Sequence, residues 1–233
     1  MTDWRNVAAD RYPTALQKLD AYVELLTTLG VERGLIGPRE ADRLWERHIL
    51  NCAVVADLTE GFIPEESSVV DVGTGAGLPG IVWAIVRPDL HVVLVESMQR
   101  RVDVLNIAVE QLELSDRVEV VRGRAEDLVG EVVGDVVTAR AVAPMGRLLG
   151  WLAPLTVAGG SLVVLKGQKV ADELTEAAPE LAAIKAGSVQ VHICGEGWLD
   201  EPTNVVQIQD FDPTGLVVAG KRGKPRGAGN RGR

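Results

Sequence analysis

Asp71, the glycines that follow it and Glu96 are the residues whose types and spacing could do chemistry. A short apolar run at 69–72 carries Asp71 and leads into Gly73-Thr74-Gly75-Ala76-Gly77-Leu78-Pro79-Gly80. An apolar segment, Ile81–Val86, gives way to a second apolar run, Val92–Val95, closed by Glu96. This pattern predicts a strand–loop–helix–strand unit with a nucleoside site at its first turn. Loop glycines let backbone approach a ligand where a Cβ would collide. The Glu96 carboxylate, at the tip of the neighbouring strand, is placed to accept from both ribose hydroxyls. A glycine-rich turn that binds nothing is the alternative, and Glu96 in its proper place argues against it.

The ligand can be narrowed. A dinucleotide fingerprint, Gly-x-Gly-x-x-Gly, read from Gly73 finds Leu78 where the third glycine belongs. A phosphate loop needs a Gly-Lys-Ser/Thr end, which is absent. What stands is Asp-x-Gly-x-Gly-x-Gly, which resembles motif I of the S-adenosylmethionine methyltransferases.

Other positions fall at the same end of the expected sheet. Gly123-Arg124-Ala125-Glu126-Asp127 follows the third strand, where an amide and a carboxylate could read an adenine edge. The alternative for Glu126 and Asp127 is plain charge at a helix N-terminus. Thr138-Ala139-Arg140-Ala141-Val142-Ala143-Pro144 follows the fourth strand, where the resemblance to the methyltransferases implies acceptor-handling groups. It lacks the Asn/Asp-Pro-Pro-aromatic signature of exocyclic-amine methylation. Neither Cys52 nor Cys194 lies where a cytosine-C5 nucleophile would be needed. Arg140 ends a buried-looking strand, where a bare cation is costly, so a carboxylate partner on the cofactor side is one reading. Lys166 ends the fifth strand and reads either as an acceptor-side cation or as a lysine pointing to water. His48 follows Glu46-Arg47, and a lone histidine is more often structural than functional.

The elements that must hold these residues follow from periodicity. Ala15, Leu16, Leu19, Val23, Leu26 and Leu29 predict an amphipathic helix over 14–29, stopped by Gly30. A second helix starts near Pro38 and runs, with a break, to Gly61. Strands are predicted at 68–72, 91–95, 117–122, 134–139 and 160–165. Helices are predicted at 78–87, 97–113, 125–130, 145–153 and 170–185. The runs at 188–194 and 205–211 are too close for a helical crossover and should pair antiparallel at the sheet edge. The expected fold is therefore α/β: a seven-stranded, mostly parallel sheet with a last antiparallel hairpin, behind an N-terminal helical cap. Domains are expected at 1–64 (cap) and 65–212 (sheet), with a basic tail at 213–233.

Composition sets the outer bounds. The 233 residues, 46% of them apolar, suffice for one large domain. Two distant cysteines imply no disulfide framework and a reducing compartment. Three histidines at 48, 91 and 192 have no zinc-ligand spacing, so no metal is expected. No run approaches a membrane span, and the N-terminus lacks a signal-peptide core, so a soluble cytoplasmic protein is expected. The net charge is −9, yet residues 221–233 hold six bases and no acid; the rest of the chain stands at −15. That tail reads equally as a solvated end or as a polyanion tether.

Four segments together resemble the RsmG (GidB) family of bacterial small-subunit rRNA guanine-N7 methyltransferases: Arg47-His48-Ile49-Leu50-Asn51-Cys52, 70–81 with its Gly-Leu-Pro-Gly ending, Arg140-Ala141, and Leu165-Lys166-Gly167-Gln168. The likeness runs from about residue 10 to 211. It implies a class I methyltransferase fold, S-adenosyl-L-methionine as cofactor, and 16S rRNA or the 30S particle as partner; a monomer is expected. It implies cofactor contacts at Gly73, Leu78, Ala125, Glu126 and Arg140; position at the strand ends adds Asp71, Thr74, Gly75, Gly77 and Glu96 to the same expected pocket. It implies a substrate-side role for Arg47, His48 and Lys166, and Arg140, after the fourth strand, joins them as a catalytic candidate. The family's usual Arg-His-x-x-Asp-Ser reads Asn51-Cys52 here, which loses a carboxylate. Alternatives of other classes are a methyltransferase of protein or small molecules, and a non-catalytic nucleotide-binding module.

Overall fold

The computed structural model describes residues 2–37, 40 and 43–216. The expected helix start at Pro38 and the basic run at 221–233 lie outside the described residues. Seven strands form one sheet: β1 (Ser68–Val72), β2 (His91–Glu96), β3 (Val118–Arg122), β4 (Gly134–Arg140), β5 (Thr156–Lys166), β6 (Ser188–Cys194) and β7 (Thr203–Gln209). Their order is β3-β2-β1-β4-β5-β7-β6. The first five are parallel; β7 runs antiparallel between β5 and β6. This is the layout expected for a class I methyltransferase. Because β2 and β4 both flank β1, the strand order reverses there, and a crevice opens beyond the carboxyl ends of the strands.

Alternation of side chains across the pleat builds two cores. Val69, Val92, Leu94, Val163 and Val205 face one side, where α4 (Gly80–Val86), α5 (Gln99–Gln111) and the cap helices pack. Val70, Val72, Leu162, Val164 and Val206 face the other, against α6 (Met145–Leu152) and the residues around α7 (Val170–Glu176) and α8 (Ala178–Ala183).

The cap comprises α1 (Trp4–Arg11), α2 (Leu16–Leu25) continued by a π-helical turn at Leu26–Gly30, and α3 (Asn51–Ala56) entered through a π-helical segment, Leu44–Leu50. It does not stand apart from the sheet. Leu19, Leu26 and Ile49 share one buried cluster with Trp83 of α4 and with Cys194, Leu199 and Val205 of the final hairpin. Polar bonds tie the same parts: Thr203 Oγ1 donates to Asn51 Oδ1 at 2.6 Å, and Glu201 N donates to Glu46 Oε1 at 3.0 Å. The Arg11 guanidinium lies 3.7 Å from the Trp198 ring centroid.

Several boundaries depart from the periodicity. The helix expected over 170–185 is two helices, because Pro179 opens α8. The short helix expected at 125–130 is one 3₁₀ turn, Ala125–Asp127. β7 begins two residues earlier than expected, leaving Phe211 beyond the strand. No described helix is long and apolar enough to cross a membrane. Among the described residues no cluster of His, Cys, Asp and Glu could hold a metal ion.

Candidate cofactor and acceptor site

The loop after β1 is folded by its own acid. Asp71 is fully buried, and its Oδ2 accepts from Thr74 Oγ1 at 2.5 Å and from Gly80 N, the first amide of α4, at 2.9 Å. Its Oδ1 has no partner among the described residues. Burial pushes its carboxyl up to about 6, although the two bonds oppose the shift. From the cap, the buried Tyr22 hydroxyl donates to Ala76 O at 2.6 Å and pins the middle of the loop. Tyr22 belongs to the buried face of its helix with Leu19 and Leu25, and sequence reasoning missed it.

The glycines divide into two kinds, which corrects the expectation that each makes room for a ligand. A Cβ on Gly77 would collide with Ile81 and touch the Tyr22 hydroxyl; one on Gly80 would collide with Leu94 and the Asp71 carboxylate. Those two serve internal packing. Gly75, at φ +62, has nothing nearer to its missing Cβ than Gly73 O at 3.9 Å. It alone of the three faces open space.

Glu96, 3% exposed, is engaged rather than free. Its carboxylate accepts from Gly75 N at 3.2 Å and from Met98 N at 2.9 Å, and Arg101 Nη1 lies 3.3 Å away. The acid expected to wait for ribose hydroxyls therefore also braces the glycine loop. Oε2 thus already has two donors, Gly75 N and Arg101 Nη1, whereas Oε1 keeps more room for a further donor beside Met98 N.

Three clefts meet above these residues. One of about 240 Å³ lies between Glu96, Gly123, Ala125 and Glu126, with Trp151 on its far wall. A second, of about 360 Å³, is lined by Thr74, Gly75, Leu78, Arg101, His48 and Arg140. Gly73 and Val142 line both. The Val142 side chain sits directly on Gly73, 3.0 Å from where a Cβ would be. The third cleft, about 1080 Å³, holds Arg47, His48, Asn51, Arg140 and Lys166 and shares His48 and Arg140 with the second. Its outer wall carries Asp172, Glu176 and Asp200, which have no basic partner within ion-pair distance among the described residues.

The cations at this junction are held by the cap and the loops. Arg140 has no carboxylate partner among the described residues, against the salt-bridge reading. It donates from Nη2 to His48 Nδ1, and from Nη1 to Cys52 Sγ at 3.2 Å and Arg47 O at 3.4 Å. His48 Nε2 lies 3.0 Å from Glu40 Oε2, and Arg47 Nη1 lies 3.5 Å from the same oxygen. Burial and Arg140 hold the His48 pKa below its ordinary value, against the pull of Glu40. The thiol of Cys52, pushed up by burial, stays protonated and offers a lone pair to Arg140. Lys166 neither points to water nor projects freely into the cleft. Its ammonium, 5% exposed, pairs with Glu173 at 2.5 Å and donates to Ala143 O at 2.9 Å. Glu173 in turn accepts from Met145 N at 3.0 Å, so the pair grips both ends of the turn that follows Val142.

The chain is similar to known proteins over most of its length. The family model GidB, described as rRNA small subunit methyltransferase G, matches residues 15–202. A protein of Salinispora tropica named ribosomal RNA small subunit methyltransferase G is 50% identical over 227 residues, 95% of this chain and 89% of that one. One of the same name from Thermobifida fusca is 47% identical over 232 residues, 98% of this chain and 96% of that one. Among solved structures, an S-adenosylmethionine-dependent O-methyltransferase of Thermotoga maritima superposes with a TM-score of 0.56 at 13% identity, covering 73% of this chain and 69% of that one. A precorrin-6y C5,15-methyltransferase of Geobacter metallireducens gives 0.53 at 14% identity over 76% and 90%. These two likenesses concern the fold alone.

Proposed function

This chain belongs to the GidB family, rRNA small subunit methyltransferase G, and we propose that it transfers a methyl group from S-adenosylmethionine to N7 of one guanosine in small-subunit rRNA. The bacterial cytoplasm, where small subunits are assembled, is the place of action in this reading. The observation that carries it is the junction of clefts at His48 and Arg140. A nucleoside-sized recess and a second recess meet over Gly73, and the second opens into a wider cleft.

The residues present fit the cofactor. Glu96 would take the ribose hydroxyls, Ala125 and Glu126 the adenine edge, and Gly73, Thr74, Gly75 and Leu78 the methionine half. Asp71, fully buried beneath that loop, keeps one oxygen unpartnered among the described residues and so has capacity for a further donor. When bound, the cofactor supplies a methyl group on a sulfonium, activated for transfer. The protein's task is then alignment. N7 of guanine carries a free lone pair, so its methylation removes no proton and the site requires no general base. A neutral His48 already bonded at both nitrogens suits such a site.

Glu96→Ala should weaken S-adenosylmethionine by ~1–3 kcal/mol, the scale for hydrogen bonds to a charged acceptor. Part of that loss comes from the Gly75 amide, which loses its brace. Calorimetric titration measures it, and a change under about 0.5 kcal/mol would remove Glu96 from the cofactor contacts.

The product tests the whole reading. With S-adenosylmethionine and small-subunit particles or RNA, the enzyme should form N7-methylguanosine at a single position. N7 methylation places a positive charge on the base and weakens its glycosidic bond, so reduction and aniline should cleave the RNA there. Digestion and mass spectrometry identify the nucleoside independently. Methyl groups on cytosine, adenine or ribose, or equal turnover without RNA, would defeat the assignment.

A further inference from the structure

Arg140 lines both the recess beside the glycine loop and the wide cleft, and on the guanine-N7 reading this raises a chemical difficulty. The edge of guanine that carries N7 also carries O6, and an arginine fork commonly donates to both at once. A donor on N7 would occupy the lone pair that has to attack. The guanidinium must therefore be near the base and yet kept off N7.

In this chain three of its five N–H groups are already directed elsewhere. Nη2 donates to His48 Nδ1, and Nη1 donates to Cys52 Sγ and Arg47 O. An arginine has no acceptor, so His48 Nδ1 must be the unprotonated nitrogen. The ring proton then lies on Nε2, which faces a carboxylate oxygen of Glu40 at 3.0 Å. A carboxylate accepts only, so Glu40 selects the tautomer that Arg140 requires.

We propose that Glu40 is a positioning residue: by fixing the His48 tautomer it holds the Arg140 fork toward the cap and leaves guanine N7 free to react. This role rests on the guanine-N7 reading above. The groups facing His48 are Arg140 from β4, Glu40 from the segment before α3, and Arg47 on its own turn. Acid protonates Nδ1, sets a donor against a donor, and opens the clasp. Activity should therefore fall on the acid side with the titration of His48.

Glu40→Gln keeps an acceptor for Nε2–H but removes the anion. Glu40 raises the His48 pKa, so its loss should move the His48 midpoint, and the acid limb of kcat, to lower pH together. Glu40→Leu removes the acceptor and should lower kcat about tenfold while the Kd for S-adenosylhomocysteine stays within about twofold. Nitrogen NMR of the three imidazoles reads tautomer and midpoint without any turnover. The proposal expects His48 protonated at Nε2 and bare at Nδ1. An Nδ1-protonated ring, a His48 midpoint unmoved in Glu40→Gln, or an acid limb that stays put while the midpoint moves would each overturn it. Methylation by the wild type at an atom other than N7 would overturn the acceptor assignment and this role together, whereas the NMR arm alone decides whether the clasp exists.

Discussion

Gly75→Val should abolish S-adenosylmethionine binding in a protein that still folds. Space and backbone both argue for it. Gly73 O, at 3.9 Å, is the nearest protein atom to a Cβ at this position, so the branched side chain would meet no clash with the protein and would project into the cleft that the methionine half should fill. The φ of +62° adds strain of about 1–2 kcal/mol for a residue with a Cβ. That strain is small beside the stability of a typical domain, about 5–15 kcal/mol. The Kd should rise at least ~100-fold, about 2.7 kcal/mol, with far-ultraviolet circular dichroism unchanged and the melting temperature lowered by only a few degrees. Gly77→Val is the contrasting case. There the side chain would enter Ile81 and the Tyr22 hydroxyl, so that variant should lose the fold itself. Wild-type affinity in Gly75→Val would remove the loop from the site.

Arg140→Ala should lower kcat/KM by ~100-fold or more, the scale at which misplacing a reacting group is felt. The substitution removes the one group bonded at once to His48, Cys52 and the backbone of Arg47. Cofactor affinity should change by less than about tenfold, because Glu96 and the glycine loop remain. Arg140→Lys should fare little better. An ammonium on a flexible stem cannot hold three differently placed acceptors as a planar fork does. Single-turnover methylation with S-adenosylmethionine in excess separates the two effects, and wild-type turnover by Arg140→Ala would sever β4 from the reaction. Removal of the cation should also raise the His48 pKa, since Arg140 is one of the groups that depress it.

How much of this was legible in the sequence depends on what each residue answers to. β1, β2 and β3 were readable because each is a short apolar run ended by a polar residue or a glycine. β5 was expected at 160–165 but spans Thr156–Lys166. Its first residues, with Gly159 and Gly160, are absorbed in a register shift against β4 that periodicity does not reveal. α1 was invisible: of its eight residues only Ala8 is buried, so it carries no stripe, and its signal is the Asp3 cap on Asn6 N. The π-helical turns lie within segments of helical periodicity, and Thr27 and Thr28, which bond back to Val23 O and Glu24 O, mark the first of them. At the site, local motifs put Asp71, Gly75 and Glu96 at one end of the sheet. The clasp was not legible, because Glu40, His48, Cys52 and Arg140 meet only through tertiary packing. Lys166 misled for the same reason: a lysine at a strand end reads as an acceptor-side cation or as solvent-facing until Glu173 arrives from α7.

The bonding of the cap to the last hairpin has a consequence in time. The partners of Glu46 and Asn51 are Glu201 and Thr203, and those of Leu19 and Ile49 include Val205. The helices made first thus complete their packing only when residues made nearly last have emerged. At about 5–20 residues per second, the interval between Ala56 and Val205 is roughly 7–30 s of synthesis. Through that interval β1 and β2 can already close the glycine loop, whereas the wall that Thr203 and Asn204 give to the wide cleft does not yet exist. A nascent chain would therefore own the parts for holding a methyl donor before it owns a place to put the acceptor. A chain cut short after β5 would leave the apolar face of its cap without the cover that Cys194, Leu199 and Val205 provide.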